Sequence, residues 1–173
     1  SLLSLMVALS GEELRQIIHW LLGSVSMRGW NYILMIIPFF VIGSLVLLFS
    51  SQELNALSFG EERAHHLGVN VQTRKMLILI FASVVTGAAV AVSGTIGFVG
   101  LVIPHMIRTV FGTDHRHLLP LSLLYGGSFL ILADLVARTI VAPVELPIGV
   151  ITAILGAPVF AFILFRQRKE RSG

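Results

Sequence analysis

The run from Asn31 to Ser50 carries no charged side chain. An α-helix rises 1.5 Å per residue, so about twenty apolar residues cross the roughly 30 Å hydrocarbon core of a bilayer. Inside that core every backbone N–H and C=O must be satisfied within the chain, which leaves helices or closed barrels. Apolar runs of that length read as spanning helices. Four further blocks follow: Met76 to Ser93, Thr95 to Phe111, Leu118 to Ala137 with Asp134 inside it, and Ile148 to Phe165. Ser1 to Leu9 reads as the tail of another span within a longer chain, because it has neither a charged leader nor a small-residue cleavage site. The expected fold is all-α: a polytopic transmembrane helical bundle of about five full spans plus part of one. Composition agrees, since 55% of the 173 residues are hydrophobic and only 12% are charged, against about a quarter in soluble domains.

The remaining segments are short. Gly11 to Leu22 sets Glu12, Glu13, Arg15 and His19 among Leu14, Ile17, Ile18 and Leu21. About twelve residues cannot span, so an interfacial or re-entrant helix is expected, with Trp20 at headgroup level. Pro38 removes a backbone bond inside its run and is expected to kink it. The longest hydrophilic stretch is 51–75. With that loop on the cytoplasmic side, nine of the 12 Lys and Arg residues fall with it, leaving Arg15, Arg28 and Arg138 opposite. The positive-inside rule then places the C-terminus in the cytoplasm. The net charge of +3 belongs to these loops rather than to a nucleic-acid surface. With no cysteine, disulfides, thiolate metal sites and cysteine nucleophiles are excluded.

Several motifs carry specific expectations. In Gly60-Glu61-Glu62-Arg63-Ala64-His65-His66-Leu67-Gly68, acidic residues favour a helix start and Gly68 a stop. Ala64 and Leu67 fall on one face of that short helix, and a second helix should begin near Val71. Such a helix is either an ordinary solvated loop or a docking surface. Gly94, Gly97 and Gly100 recur every three residues, without the strand or lysine of a phosphate loop. Close helix–helix packing in lipid is the better account of them. His105, after Pro104, is expected to be a buried, hydrogen-bonded histidine, and no spacing of the histidines suits a metal. Asp134 and Arg138 stand four apart and should pair, either structurally or with Arg138 also receiving a partner. Glu145 and Pro147 suit the first turn of the last helix. There is no Walker loop, no Gly-x-Ser-x-Gly elbow and no His-Glu-x-x-His, so any energy for transport must come from another chain.

Taken in order, the stretches Gly94-Thr95-Ile96-Gly97-Phe98-Val99-Gly100-Leu101-Val102-Ile103-Pro104-His105, Thr113 to Pro120, Ala133 to Arg138, Glu145 to Thr152 and Gly156 to Phe160 closely resemble the FecCD-type permeases of ABC importers for ferric siderophores, haem and cobalamin. The resemblance covers nearly the whole chain. It implies ten spanning helices per subunit of a homodimer, of which residues 1–173 are the C-terminal half of one permease domain and 51–75 its coupling loop. It also implies that Gly60, Glu61, Glu62, Ala64, Leu67 and Gly68 belong to coupling helices seated in an ATP-binding cassette subunit. By the same resemblance, Arg138 receives an acidic residue of an extracytoplasmic substrate-binding protein, and the 11–22 helix lies near the mouth of the path. No cofactor is implied on this chain; ATP and Mg belong to the ATPase subunit. The implied cargo is an iron-siderophore complex, with cobalamin or haem as the alternative, across the bacterial cytoplasmic membrane. A membrane-embedded hydrolase would need a nucleophile and base in reach, and only Ser93 with His105 offers one. A passive channel is the other competing reading. The topology predicts that a cysteine at Ser51 resists a membrane-impermeant thiol reagent applied from outside intact spheroplasts; ready labelling would invert the orientation.

Overall fold

The computed structural model describes residues 17–18, 20–25, 29–66, 68, 70–141 and 145–171, with the side chains of 164 and 166–171 left aside. Among these residues the regular structure is helical throughout. Seven helices are bounded: α1 Trp30–Phe49, α2 Ser51–Ser58, α3 Glu61–His66, α4 Val71–Ser93, α5 Val99–Phe111, α6 His115–Thr139 and α7 Ile148–Arg171. Three of them, α1, α4 and α6, are long and apolar enough to cross a membrane. The expected interfacial helix at 11–22 is helical at residues 17–18 and 20–21; the rest of its length lies outside the described residues, as does Ser1 to Leu9.

Three boundaries differ from the sequence expectation. The 51–75 stretch is not one loop helix followed by another. It holds α2, which was not anticipated, and α3, while the helix expected near Val71 is the first part of α4 itself. Lys and Arg side chains at 74 and 75 can sit on a membrane helix because their long stems reach the interface. The span expected from Thr95 starts only at Val99, so α5 has 13 residues and a length of about 20 Å, short of a bilayer by itself. Finally, Ser51 is buried, so exposed Glu62 is the informative position for topology labelling.

Packing follows small residues rather than a conventional core. Lipid tails are as apolar as leucine, so helices associate in membranes through close van der Waals contact. α1 lies along α4, and the close approach is at Gly43, where an added Cβ would collide with the Val85 side chain. α6 is the central element, touching α1, α2, α5 and α7. On one stretch of it Ala133 and Ala137 pack with Ile148 and Ile151 of α7. Nearer its start Leu118 packs with Ile103 and Ile107 of α5. The large exposed apolar surface elsewhere on α1, α4 and α6 is what lipid or further membrane helices cover.

The turn between α4 and α5 is where the glycines act. Gly94 ends α4 with φ 69° and ψ −165°, a conformation essentially confined to glycine. A Cβ there would strike the Trp20 carbonyl oxygen, and one on Gly149 would strike that of Leu22. Residues 20–24 therefore thread between the α4–α5 turn and the start of α7 with backbone against backbone. Ser24 N–H donates to the Ser93 carbonyl at 2.8 Å, the Thr95 hydroxyl donates to the Leu21 carbonyl, and the Trp20 indole reaches the Ala91 carbonyl at 3.5 Å. Among the described residues, a Cβ added to Gly97 or Gly100 would meet nothing within 4 Å.

Phe98, the residue before α5, has φ 66° and ψ −31°, and Val99 N–H donates to the Gly97 carbonyl at 2.8 Å. That is a γ-turn with positive φ, a rare and strained form. Its side chain is fixed against α7: a Cβ on Gly156 would collide with Phe98, and the ring meets Phe160 edge-on at 6.4 Å. Gly94→Ala should cost on the order of 1–3 kcal/mol from the backbone alone, and more from the collision. Gly97→Ala should leave stability near wild type. Thermal unfolding of the detergent-purified permease measures both; equal melting of the two variants would refute the threaded-turn account.

Candidate functional site

Among the described residues, polar side chains gather at each end of α6. At one end is the α2–α3 loop. Gly60 and Gly68, with φ of 107° and 83°, bound α3 as expected, and Gly68 N–H returns to the His65 carbonyl at 3.0 Å. Ala64, however, is fully buried. α3 packs on α2 and α4, so the small-residue face turns inward and is not available for docking. The outward side carries Glu62, Arg63, His65 and His66, all exposed. Glu61 is tied to Lys75 of α4 at 2.7 Å between exposed side chains, a pair of small energetic worth. Leu67 lies outside the described residues.

A feature not anticipated from sequence joins this loop to α6. Asp114 caps α6, its Oδ1 accepting from Arg116 N–H at 2.9 Å. Asn55 of α2 donates through Nδ2 to the same oxygen at 2.7 Å. Asn55 Oδ1 in turn accepts from His115 N–H at 2.8 Å and lies 2.7 Å from His115 Nδ1, which therefore carries the proton. One asparagine thus uses both ends of its amide on the first turn of a membrane helix. Asparagine is a weak helix former that favours local side-chain bonding. That was the signal available at position 55, though not its distant partner. Glu53, two residues earlier, reaches Arg74 of α4 at 3.4 Å.

At the other end of α6, Arg138 Nε donates to Asp134 Oδ2 at 2.8 Å. The expected pair is present, with both side chains partly exposed. Leu146 N–H returns to the Ala137 carbonyl at 3.1 Å, which fixes the 145–147 approach to α7 against this end. His105 is half-buried on α5 rather than buried, and its ring makes no hydrogen bond among the described residues; its backbone carbonyl accepts from Thr109. Ser93 donates to the Ala89 carbonyl at 2.9 Å. No bond joins it to His105, so the nucleophile and base of a hydrolase are not assembled. Among the described residues no three metal-ligating side chains converge.

Among the described residues the helices form an apolar bundle with a helical loop at one end of α6 and an ion pair at the other. The chain belongs to the FecCD transport family, whose profile matches residues 1–166. It is 62% identical to the ABC transporter permease protein YvrB of Bacillus subtilis, over 96% of this chain and 47% of that one. It is 46% identical to the hemin transport system permease protein HmuU of Yersinia pestis, over 94% and 48%. With the cobalamin import system permease protein BtuC of Halobacterium salinarum it shares 49%, over 98% and 45%. The chain therefore spans about half the length of these relatives. It also superposes on a solved metal-chelate-type ABC transporter in an inward-facing conformation, with a TM-score of 0.84, 36% identity, and coverage of 95% of this chain and 55% of that one.

Electrostatics at the α6 cap yields a pH test. The Arg116 backbone N–H, then the Asn55 amide, hold the Asp114 carboxyl below its ordinary value. A depressed carboxyl stabilises the folded state above its unfolded pKa of about 3.9, and that contribution disappears as pH falls through the folded value. Asp114→Asn should therefore melt below wild type at pH 7, with the difference shrinking as pH drops beneath about 4. A difference independent of pH would show that the charge does not matter to the cap.

Proposed function

We propose that this chain supplies membrane-spanning helices of a permease in an ATP-driven importer for iron-siderophore-type complexes in the bacterial cytoplasmic membrane. The observation that carries the reading is the family match across 1–166, together with relatives named as permeases for hemin and cobalamin import. Those two relatives also favour a second reading, haem or cobalamin as cargo. The proposed partners are a second permease subunit forming a homodimer, an ATP-binding cassette subunit holding ATP and Mg, an extracytoplasmic substrate-binding protein, and the bilayer.

In this reading α2 and α3 face the cytoplasm and dock on the ATPase subunit through the exposed side of α3. Glu62, Arg63, His65 and His66 make the contact, and Gly60, Gly68 and buried Ala64 set its shape. Closure of the ATPase dimer displaces the loop as a rigid body, and the permease pair rocks so that the path opens to each side in turn. The chain performs no covalent chemistry. Asp134 holds Arg138 at the outer surface, where its guanidinium receives a carboxylate of the binding protein.

Reconstitution of the whole permease with its ATPase and binding protein tests the reading. Vesicles should accumulate a radioiron-labelled hydroxamate siderophore only with ATP. Accumulation of haemin or cobalamin instead would move the assignment to the second reading, and ATP-independent flux would indicate a channel. Arg138→Glu should weaken binding-protein affinity roughly tenfold or more at low salt, with a smaller effect at high salt. The double variant Asp134→Ala with Arg138→Ala should stay folded, because a neutralised pair leaves no lone charge. Equal affinities of wild type and Arg138→Glu at low salt would reduce Arg138 to a partner of Asp134.

A further inference from the structure

We propose that Asn55 is a positioning residue that transmits displacement of the α2–α3 loop to α6, and along α6 to the Asp134–Arg138 pair at its other end. The proposal rests on the importer reading and adds to it a named mechanical connection.

Among the described residues α3 packs chiefly on α2 and α4, and motion imposed on it can leave by either. The polar link to α4 is Glu61–Lys75, between side chains 64% and 55% exposed; such a pair is screened by salt and its long side chains yield easily. The link through α2 is different in kind. Three contacts of 2.7–2.8 Å converge on one short amide, one of them to an ionised carboxylate. Bonds to an ionised acceptor are the stronger class, and an asparagine has only two side-chain torsions to move. The Glu53–Arg74 pair on the same helix, at 3.4 Å, is longer and looser. Displacing α2 therefore displaces the start of α6 with it.

Beyond that point α6 behaves as a strut. Its 25 residues span about 37 Å and run from the Asp114 cap to Arg138. Pro120 lies inside it near the start, where Leu118 and Leu121 on either side pack with Ile103 and Ile107 of α5, and α7 packs the far end, so a push at the cap is carried along a helix held on its sides to Asp134 and Arg138. Thus α2 touches both the loop helix and this strut, and the Asn55 side chain fastens α2 to the strut.

The test uses the full-length permease with its ATPase and binding protein in proteoliposomes, as wild type, Asn55→Leu and Asn55→Asp. Leucine removes all three contacts at similar volume. Aspartate keeps both bonds from His115, loses the donor, and sets a second carboxylate against Asp114; it serves where the leucine variant fails to assemble. Amide hydrogen exchange at 134–139 is compared with and without a non-hydrolysable ATP analogue. Wild type should respond by on the order of fivefold or more, the lower range of allosteric couplings, and both variants should lose that response. Uptake of the radioiron-labelled siderophore per ATP hydrolysed should fall by on the order of fivefold in the variants, while ATPase activity per assembled complex stays near wild type.

A wild type without the exchange response, or variants that retain it, overturns the proposal. So does a fall of uptake and ATPase together in proportion to assembled complex, which is what a merely structural role gives. Wild type that accumulates no siderophore counts against the importer reading instead. The exchange measurement still decides the role of Asn55, since it needs no transported cargo.

Discussion

A non-helical backbone segment cannot face lipid, and the rest of this fold is arranged around one that lies close to it. Because α5 is only 13 residues long, the 94–98 turn stops short of a full membrane crossing. Its polar groups need partners from protein. Residues 20–24 provide them, through Ser24 to Ser93, Thr95 to Leu21 and Trp20 to Ala91. The approach is possible because Gly94 and Gly149 leave room for carbonyl oxygens where any side chain would intrude. Once that segment is in place, the start of α7 is fixed beside it, and Ile96 packs with the Ala133–Ile151 cluster that holds α6 to α7.

The strained γ-turn at Phe98 belongs to the same arrangement. Positive φ at a bulky residue persists only where the surroundings over-determine it. Here the ring lies against Gly156 and Phe160 of α7, so α7 anchors both sides of the turn. The far end of the bundle is therefore built from backbone packing with few side-chain bonds. The opposite end relies on polar side chains: Asn55, Asp114 and His115, with Glu53–Arg74 and Glu61–Lys75 nearby.

The two polar sites differ in how much of them was legible. Asp134 and Arg138 were readable because the partners are four residues apart on one helix, a spacing that fixes proximity. The Asn55–Asp114 contact joins residues 59 apart in sequence, and no local pattern specifies it. Ala64 shows the reverse error. Its small size marked it as a contact position on α3, but the choice of inward or outward depended on α2, a helix that the polar composition of Ser51 to Ser58 concealed. His105 likewise sits on a helix as expected, while its half-exposed state depends on neighbours that periodicity does not name.

By itself the sequence determined that this chain is a helical membrane protein, roughly where its long spans lie, that a short helix bounded by Gly60 and Gly68 stands between two of them, and that it belongs with FecCD-type permeases. These follow from length, charge and local spacing, because hydrocarbon demands internally bonded helices and tolerates few charges. Only the tertiary structure decided that Gly94 of the glycine repeat serves a threaded turn, that Gly43 is where α1 meets α4, that Ala64 points inward, and that Asn55 fastens the loop to α6. Each of these depends on which backbone comes within contact distance of which, and such approaches between residues far apart in the chain leave no periodic trace in the sequence.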